Sequence, residues 1–148
     1  MEVKFRWIGI NKHFKELQIQ EDLTTEKVLN GKYLSFFSES NRSDYGNCKF
    51  LSEDLFTGFK DKNGKDIYEG DILSDWTETD EGIKQSFCKV FWFEKAGCWH
   101  LDHSTSQNKT YSYPLANELR EYKYIVTGNV YEAELKAWEE KNKAITES

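Results

Sequence analysis

The residues best suited to chemistry lie together from Cys98 to His103, in the order Cys-Trp-His-Leu-Asp-His. Thiol, imidazole and carboxylate groups are zinc ligands and components of nucleophilic sites. On an extended strand, however, alternate side chains share a face. One face then carries Cys98, His100 and Asp102, and the other carries Trp99, Leu101 and His103. Because the two histidines lie on opposite faces, we expect a strand with one core face here rather than a metal or catalytic site.

The spacing around Gly64 suggests a calcium loop, because Asp61 and Asn63 precede this glycine. Aligning Gly64 with the sixth position of an EF-hand loop places Phe59 first and Gly70 twelfth. Both of those positions require a carboxylate, so the calcium interpretation fails. His13 has no metal-binding companion nearby in the sequence.

Glu69 and Asp71 could act as acid–base groups, but in a turn such carboxylates more often accept backbone hydrogen bonds. Cys48, Cys88 and Cys98 are an odd number without a Cys-x-x-Cys pair, which indicates reduced thiols rather than disulfides or a zinc site. Nucleotide-binding loops and hydrolase or metalloprotease motifs are absent from the sequence. We therefore predict no catalytic, metal or cofactor-binding residue, and a small metal-dependent enzyme is the least favoured function.

Two segments alternate basic and aromatic residues, Lys4-Phe5-Arg6-Trp7 and Lys89-Val90-Phe91-Trp92. Such residues on a barrel face could stack single-stranded nucleic acid. A formal net charge of -6 opposes binding to phosphates unless the cations are concentrated in one patch. We expect these segments to be core, and nucleic-acid binding remains the second hypothesis.

A hairpin organises the middle of the chain, because Asp61-Lys62-Asn63-Gly64 suits a type I turn closed by a left-handed glycine. A two-residue Asn63-Gly64 loop would place like charges opposite each other across the strands. A three-residue loop with a bulge at Gly64 instead pairs Asp61 with Lys65 and Lys60 with Asp66. The charges therefore favour the bulged hairpin.

The segment Phe56–Leu73, FTGFKDKNGKDIYEGDIL, resembles the signature of the YopX family of bacteriophage and prophage proteins. Lys4-Phe5-Arg6-Trp7 is similar to the opening of that family, and Val126-Thr127-Gly128-Asn129-Val130-Tyr131-Glu132 is similar to its close. The signature residues matched here are Thr57, Gly58, Lys60, Asp61, Asn63, Gly64, Ile67, Tyr68, Glu69, Gly70 and Asp71. The resemblance implies a phage or prophage origin in a bacterial host cell and brings no catalytic or binding residues.

The N-terminal third is predicted to be mostly extended. Val3–Ile8 alternates, with Val3, Phe5 and Trp7 on one face and Lys4 and Arg6 on a wet face, before a break at Gly9–Asn11. Phe14–Ile19 is expected to pair back on this strand. A short helical turn is predicted near Thr24–Leu29 with a stop at Asn30-Gly31, followed by a buried strand over Tyr33–Phe37 and an exposed loop over Glu39–Asn47.

The remaining elements are predicted to be strands, followed by one helix. Glu69-Gly70-Asp71 resembles the entry to the first strand of SH3-like barrels. An acidic turn follows, and beyond it Phe87–Phe93 is predicted to be a strand that is apolar on both faces. Lys95–Gly97 then forms the turn that leads into Cys98–Leu101. Ser104–Thr110 is a polar loop, Pro114 marks Tyr111–Leu115 as an edge or non-strand segment, and Tyr122–Val126 is a short strand. Asn129 is a candidate N-cap for a helix over Val130–Ala144.

The sequence thus predicts one mostly β (α+β) folding unit of 148 residues. It comprises an N-terminal β-rich lobe over about residues 1–50, an SH3-like β-barrel over about 51–130 and one C-terminal α-helix. With neither a signal peptide nor a membrane span, a soluble cytoplasmic protein is expected. We predict an accessory, non-enzymatic interaction protein with an unknown protein partner. Its aromatic share of 16% also favours a homo-oligomer.

Overall fold

The computed structural model describes residues 3–29, 48–103 and 111–147. The described strands are β1 (Lys4–Asn11), β2 (Glu16–Thr24), β3 (Cys48–Lys60), β4 (Asp66–Tyr68), β5 (Asp71–Thr79), β6 (Gly82–Phe93), β7 (Cys98–Asp102), β8 (Ser112–Pro114) and β9 (Ile125–Asn129). The described helices are α1 (Thr25–Leu29), α2 (Leu115–Glu121) and α3 (Tyr131–Glu147). The mostly β class is therefore confirmed.

The strands form two antiparallel sheets with the orders β2-β1-β3-β4 and β8-β7-β6-β5-β9. The chain divides into one unit of Met1–Leu55 with Tyr131–Ser148 and a second unit of Phe56–Val130. Strand β3 pairs with β1 through its first half and with β4 through its second half. The C-terminal helix thus belongs with the N-terminal strands rather than with the strands that precede it.

The first unit begins with the predicted hairpin, which is longer than expected. β1 runs through Gly9 and Ile10 to Asn11, and the turn is made by residues 12–15. The Asn11 side chain accepts hydrogen bonds from the N–H groups of His13 and Phe14, which closes that turn. The break predicted at Gly9–Asn11 is therefore wrong. Asn11 is the last residue of the strand, and its side chain takes part in the turn that follows.

The wet face predicted for β1 is also wrong at one position. Arg6 is only 3% exposed, and its Nε donates to Oδ2 of the fully buried Asp54 at 3.0 Å. Ser52 donates to Oδ1 of the same carboxylate, and Tyr131, the first residue of α3, also donates to it. A buried charge requires a partner of this kind. The pattern of β1 alone could not reveal a partner 48 residues away.

The second unit has a core on one face of its five-stranded sheet. Its buried members are Ile67, Leu73, Cys88, Val90, Leu101, Leu115 and Tyr124. β6 is the central strand, and its alternating faces agree with the prediction that Phe87, Phe91 and Phe93 lie opposite Cys88, Val90 and Trp92. The turn from β6 into β7 is likewise confirmed, with Gly97 at φ 64°.

An SH3-like barrel is not confirmed for this unit. Among the described strands, β8 and β9 lie at opposite ends of the sheet order and are not paired with each other. The edge position predicted around Pro114 is confirmed, but Leu115 begins a seven-residue helix that was not predicted. The strand predicted at Tyr122–Val126 instead spans Ile125–Asn129, where it pairs with β5.

The ends of two predicted helices can be compared with the structure. Thr24 Oγ1 accepts a hydrogen bond from the N–H of Lys27, which caps α1 as the predicted short helical turn. α3 begins at Tyr131, whereas Asn129 is the last residue of β9 and therefore not its N-cap. The predictions for Asn30-Gly31, Tyr33–Phe37, Glu39–Asn47 and Ser104–Thr110 lie outside the described residues.

Candidate functional site

The hairpin that carries the family signature has the predicted bulged register. Lys60 pairs with Asp66, and the N–H of Asp61 donates to the carbonyl of Lys65 at 2.8 Å. Gly64 closes the turn at φ 83°, in the left-handed region that glycine adopts readily. Because the charged pairs match across the strands, this register avoids like-charge repulsion.

Asp61 connects this hairpin to the strand that ends the second unit. Its Oδ1 accepts the N–H groups of Asn63 and Lys65, each at 2.9 Å. Its Oδ2 accepts the N–H of Val126 at 2.9 Å, and the N–H of Lys62 donates to the carbonyl of Tyr124. The carboxylate therefore has a structural role as a multiple acceptor.

Other matched signature residues also have structural roles, through hydrogen bonds, burial or a left-handed backbone conformation. Thr57 Oγ1 donates to the carbonyl of Ile67 at 2.7 Å, and Gly58 has a φ of 89°. Ile67 and Tyr68 are fully buried. The corner at Glu69-Gly70-Asp71 is closed by Asp71 Oδ2, which accepts the N–H of Tyr68 at 2.9 Å. Gly70 has a φ of 87°, and its carbonyl accepts the N–H of Val130.

The Cys98–His103 segment forms β7 and the residue after it, with the predicted alternation of faces. His100 Nδ1 lies 3.0 Å from Ser112 Oγ, and burial lowers the pKa of His100. His103 instead lies beside the core, with Nδ1 3.4 Å from Cys88 Sγ and Nε2 against Glu118 Oε1. The two histidines thus occupy different environments and do not form one chelating pair.

Cys88, His103 and Glu118 form a line of thiol, imidazole and carboxylate, which is an arrangement known from cysteine nucleophiles. Two observations count against that role for Cys88. The side chain is only 1% exposed, and burial raises the pKa of its thiol to about 11. A nucleophilic cysteine requires access and a lowered pKa. These three side chains are therefore better described as a buried polar cluster beneath α2.

A cavity of about 450 Å³ opens beside His103 and Glu118, between the end of the sheet and α2. We call it the tyrosine cavity. Its lining residues are Asp75, Ser86, His103, Tyr111, Tyr113, Pro114, Asn117, Glu118, Glu121, Tyr122 and Tyr124. The volume lies within the range of roughly 300–1,000 Å³ that is common for small-ligand sites. The second unit therefore contains a concave site as well as a packed core.

The fold positions four tyrosine rings around the cavity. Tyr111 and Tyr113 flank Ser112 at the edge of the sheet, with ring centroids 5.2 Å apart at 78°. Tyr122 and Tyr124 follow α2, with ring centroids 6.0 Å apart at 67°. The side chain of Tyr124 is 3% exposed, while Tyr111, Tyr113 and Tyr122 are between 42% and 51% exposed. One ring thus closes the inner wall and three remain accessible.

Electrostatics at the tyrosine cavity are negative. Three carboxylates line it, from Asp75, Glu118 and Glu121, and lysine and arginine do not occur among the lining residues that the structure describes. Arg120 lies on the same helix, where its guanidinium donates to the side chain of Asn117 and to the carbonyl of Ala116. Hydrogen bonding to Tyr111 raises the pKa of Tyr113, so its hydroxyl stays neutral near pH 7.

The cavity was not predicted from the sequence, although one signal was present. The chain carries two Tyr-x-Tyr repeats, Tyr111-Ser112-Tyr113 and Tyr122-Lys123-Tyr124. In extended backbone this spacing places both rings on one face. The short helix between the repeats then brings them to the same site. Pro114 predicts an edge or non-strand segment, although proline is also common at the start of a helix.

The described residues contain neither a metal-binding cluster nor a helix that could span a membrane. Across residues 3–29, 48–103 and 111–147, we find no group of three His, Cys, Asp or Glu side chains arranged to hold a metal ion. In the same part of the chain, every helix is too short or too polar to cross a bilayer. In the part of the chain that the structure describes, the tyrosine cavity is therefore our candidate site.

Comparison with known proteins identifies the family of the chain. A search of curated proteins found no significant match. The model of the family described as YopX protein matches residues 5–135, which includes the bulged hairpin, the tyrosine cavity and the start of α3. Because this match covers most of the 148 residues, the chain belongs to the YopX family.

Proposed function

We propose that the protein is a non-enzymatic binding module, encoded by a bacteriophage or prophage, and that the tyrosine cavity is its binding site. The observation that supports a binding role is this concave site of about 450 Å³ with four tyrosines in its lining. Tyrosine supplies a large apolar surface and a hydroxyl in one rigid side chain, which is why it is frequent at recognition sites. The phage or prophage origin rests on the family resemblance.

A binding role agrees with the chemistry of the groups near the cavity. Cys88 is protonated near pH 7 because burial raises the pKa of its thiol to about 11. His103 and Glu118 are already in contact with each other, so neither is an unengaged acid or base. These groups are better suited to shaping the wall of the cavity than to attacking a ligand.

Nucleic-acid binding receives less support from the described residues. Arg6 and Phe5, which the stacking hypothesis requires on the surface, are 3% and 9% exposed. Val90 is 1% exposed and belongs to the core of the second unit. At the tyrosine cavity the carboxylates of Asp75, Glu118 and Glu121 would repel a phosphate backbone.

Fragment binding measured by NMR tests the proposal. A library with cationic, anionic and neutral members is added to the ¹⁵N-labelled protein, and amide shift changes are mapped. We expect ligands that move the amides of Tyr113, Glu118 and Tyr124. Asn117→Trp, which fills the cavity, should abolish those changes. Lys95→Trp, at an exposed turn of the same unit, should preserve them. A library without any member that binds the cavity would contradict the proposal.

A further inference from the structure

We propose that the tyrosine cavity selects a cationic group, a guanidinium or alkylammonium carried on a flexible stem. This inference rests on the proposed function and names the chemical class of the ligand. Three carboxylates and four tyrosines in one lining supply the two features by which proteins recognise such cations, namely opposite charge and aromatic ring faces.

The arrangement of the rings is the first argument. Tyr111 and Tyr113 meet at 78°, and Tyr113 lies 5.3 Å from the imidazole of His103 at 75°. Tyr122 and Tyr124, which follow α2 in the chain, meet at 67°. Because near-perpendicular rings present their faces in different directions, a group between the two pairs can meet more than one π face. A cation is attracted to such faces by the ring quadrupole.

The distribution of carboxylates is the second argument. Glu118 is 7% exposed and in contact with His103, so its carboxylate is already partly engaged by the wall of the cavity. Asp75 is half-buried on β5, and Glu121 is exposed at the end of α2. These two carboxylates differ in exposure, so the charge of Glu121 can act on a cation in solution and that of Asp75 on a cation within the lining. A partly buried site strengthens this attraction because solvent screens it less.

Size is the third argument. A cavity of about 450 Å³ is near the lower end of the usual range for ligand sites, which suits one side chain or a small organic cation. A folded partner domain could not enter it. The same chemistry can come from a free small molecule or from an arginine or lysine side chain of a partner protein, and the experiment separates these two sources.

Calorimetry and NMR titration with matched ligands test the inference. Arginine amide is compared with citrulline amide, which has nearly the same shape without the charge. We expect arginine amide to bind the cavity at least about tenfold more tightly than citrulline amide, with affinity that falls as salt rises. Equal affinity of the two amides, or no binding of arginine amide, overturns the inference.

Charge-neutralising variants locate the effect. Asp75→Asn and Glu121→Gln should each weaken arginine amide binding by about three- to tenfold, and the double variant should weaken it further. Glu94→Gln, in an exposed turn of the same unit, should change it less than about twofold. Comparable losses in Glu94→Gln and Glu121→Gln would overturn the inference, because the attraction would then come from net charge alone.

A peptide with one central arginine distinguishes the two sources. Tighter binding of the peptide than of arginine amide, lost in Asn117→Trp, would support a protein side chain as the ligand. Equal affinity would support a free small molecule, and both outcomes keep the cationic class. If only neutral or anionic fragments enter the cavity, the cationic inference fails while the binding function stands. If no fragment enters it, both fail.

Discussion

Asp61 Oδ2 accepts a hydrogen bond from the N–H of Val126 at 2.9 Å, across 65 residues of sequence. The other oxygen of the same carboxylate closes the turn that follows Asp61. The most recognisable segment of the family thus holds its own hairpin and attaches that hairpin to β9. Since the tyrosines at 122 and 124 directly precede β9, the signature stabilises the backbone next to the cavity.

Replacement of Asp61 by alanine should destabilise the protein by about 3 kcal/mol or more, because three backbone N–H groups lose their acceptor in a site that is 8% exposed. Asp61→Asn keeps one acceptor oxygen and should cost less. Asp66→Asn is the matched control, since the Lys60 partner of its ion pair is 62% exposed and such a partly solvated pair contributes about 1 kcal/mol or less. Urea unfolding measures all three, and equal losses for Asp61→Ala and Asp66→Asn would contradict the role of Asp61.

Gly64→Val should cost more than about 1 kcal/mol, because a β-branched residue resists the φ of 83° found at this position. A Cβ at Gly64 would meet no atom within 4 Å, so the loss would reflect backbone strain alone. Gly64→Asn is the control, because asparagine tolerates the left-handed region better. Thermal unfolding should rank glycine above asparagine and asparagine above valine, and any other order would count against the bulged turn.

The hairpin could be predicted from sequence because its determinants are local. Turn residues, alternating charges and the signature all lie within Phe56–Leu73. The same reasoning located β6 and α3, where periodicity alone is informative. By contrast, the burial of Arg6 depends on Asp54 and Tyr131, which are distant in sequence. The tyrosine cavity depends on how β8 and α2 follow each other, so the pattern of either segment alone did not predict it.

Replacing a single partner of the Arg6–Asp54 ion pair should strongly destabilise the first unit. Asp54→Asn would leave the Arg6 guanidinium, 3% exposed, without this carboxylate and should cost about 3–5 kcal/mol. Arg6→Met combined with Asp54→Asn should recover part of that loss, because it removes the buried cation while the amide oxygen can still accept from Ser52 and Tyr131. A double-mutant cycle by urea unfolding measures the coupling. Additive losses in the double variant would show that the pair is not energetically coupled.

Acid should destabilise the second unit partly through His100. Burial lowers the pKa of this imidazole in the folded protein, while its unfolded value is about 6.5. The unfolded state therefore binds more protons as pH falls below about 6.5, and stability is lost in that range by up to about 1.4 kcal/mol per pH unit. Unfolding at pH 7.5, 6.5 and 5.5 should show a smaller acid loss for His100→Gln. His13→Gln, at an exposed position of the first unit, should retain the acid loss of the unmodified protein.

Native thiol labelling should distinguish Cys88 from Cys98. Cys98 is half-buried, whereas Cys88 is 1% exposed and burial raises the pKa of its thiol to about 11, so very little of this thiol is ionised at pH 8. Iodoacetamide followed by peptide mapping should therefore modify Cys98 well before Cys88, and denaturant should remove the difference. His103→Gln adds a second readout, because an imidazole that activated the thiol would make this variant label more slowly. Rapid labelling of Cys88 that depends on His103 would reinstate a catalytic thiol, and slow labelling in both proteins agrees with a buried structural cysteine beside a binding cavity.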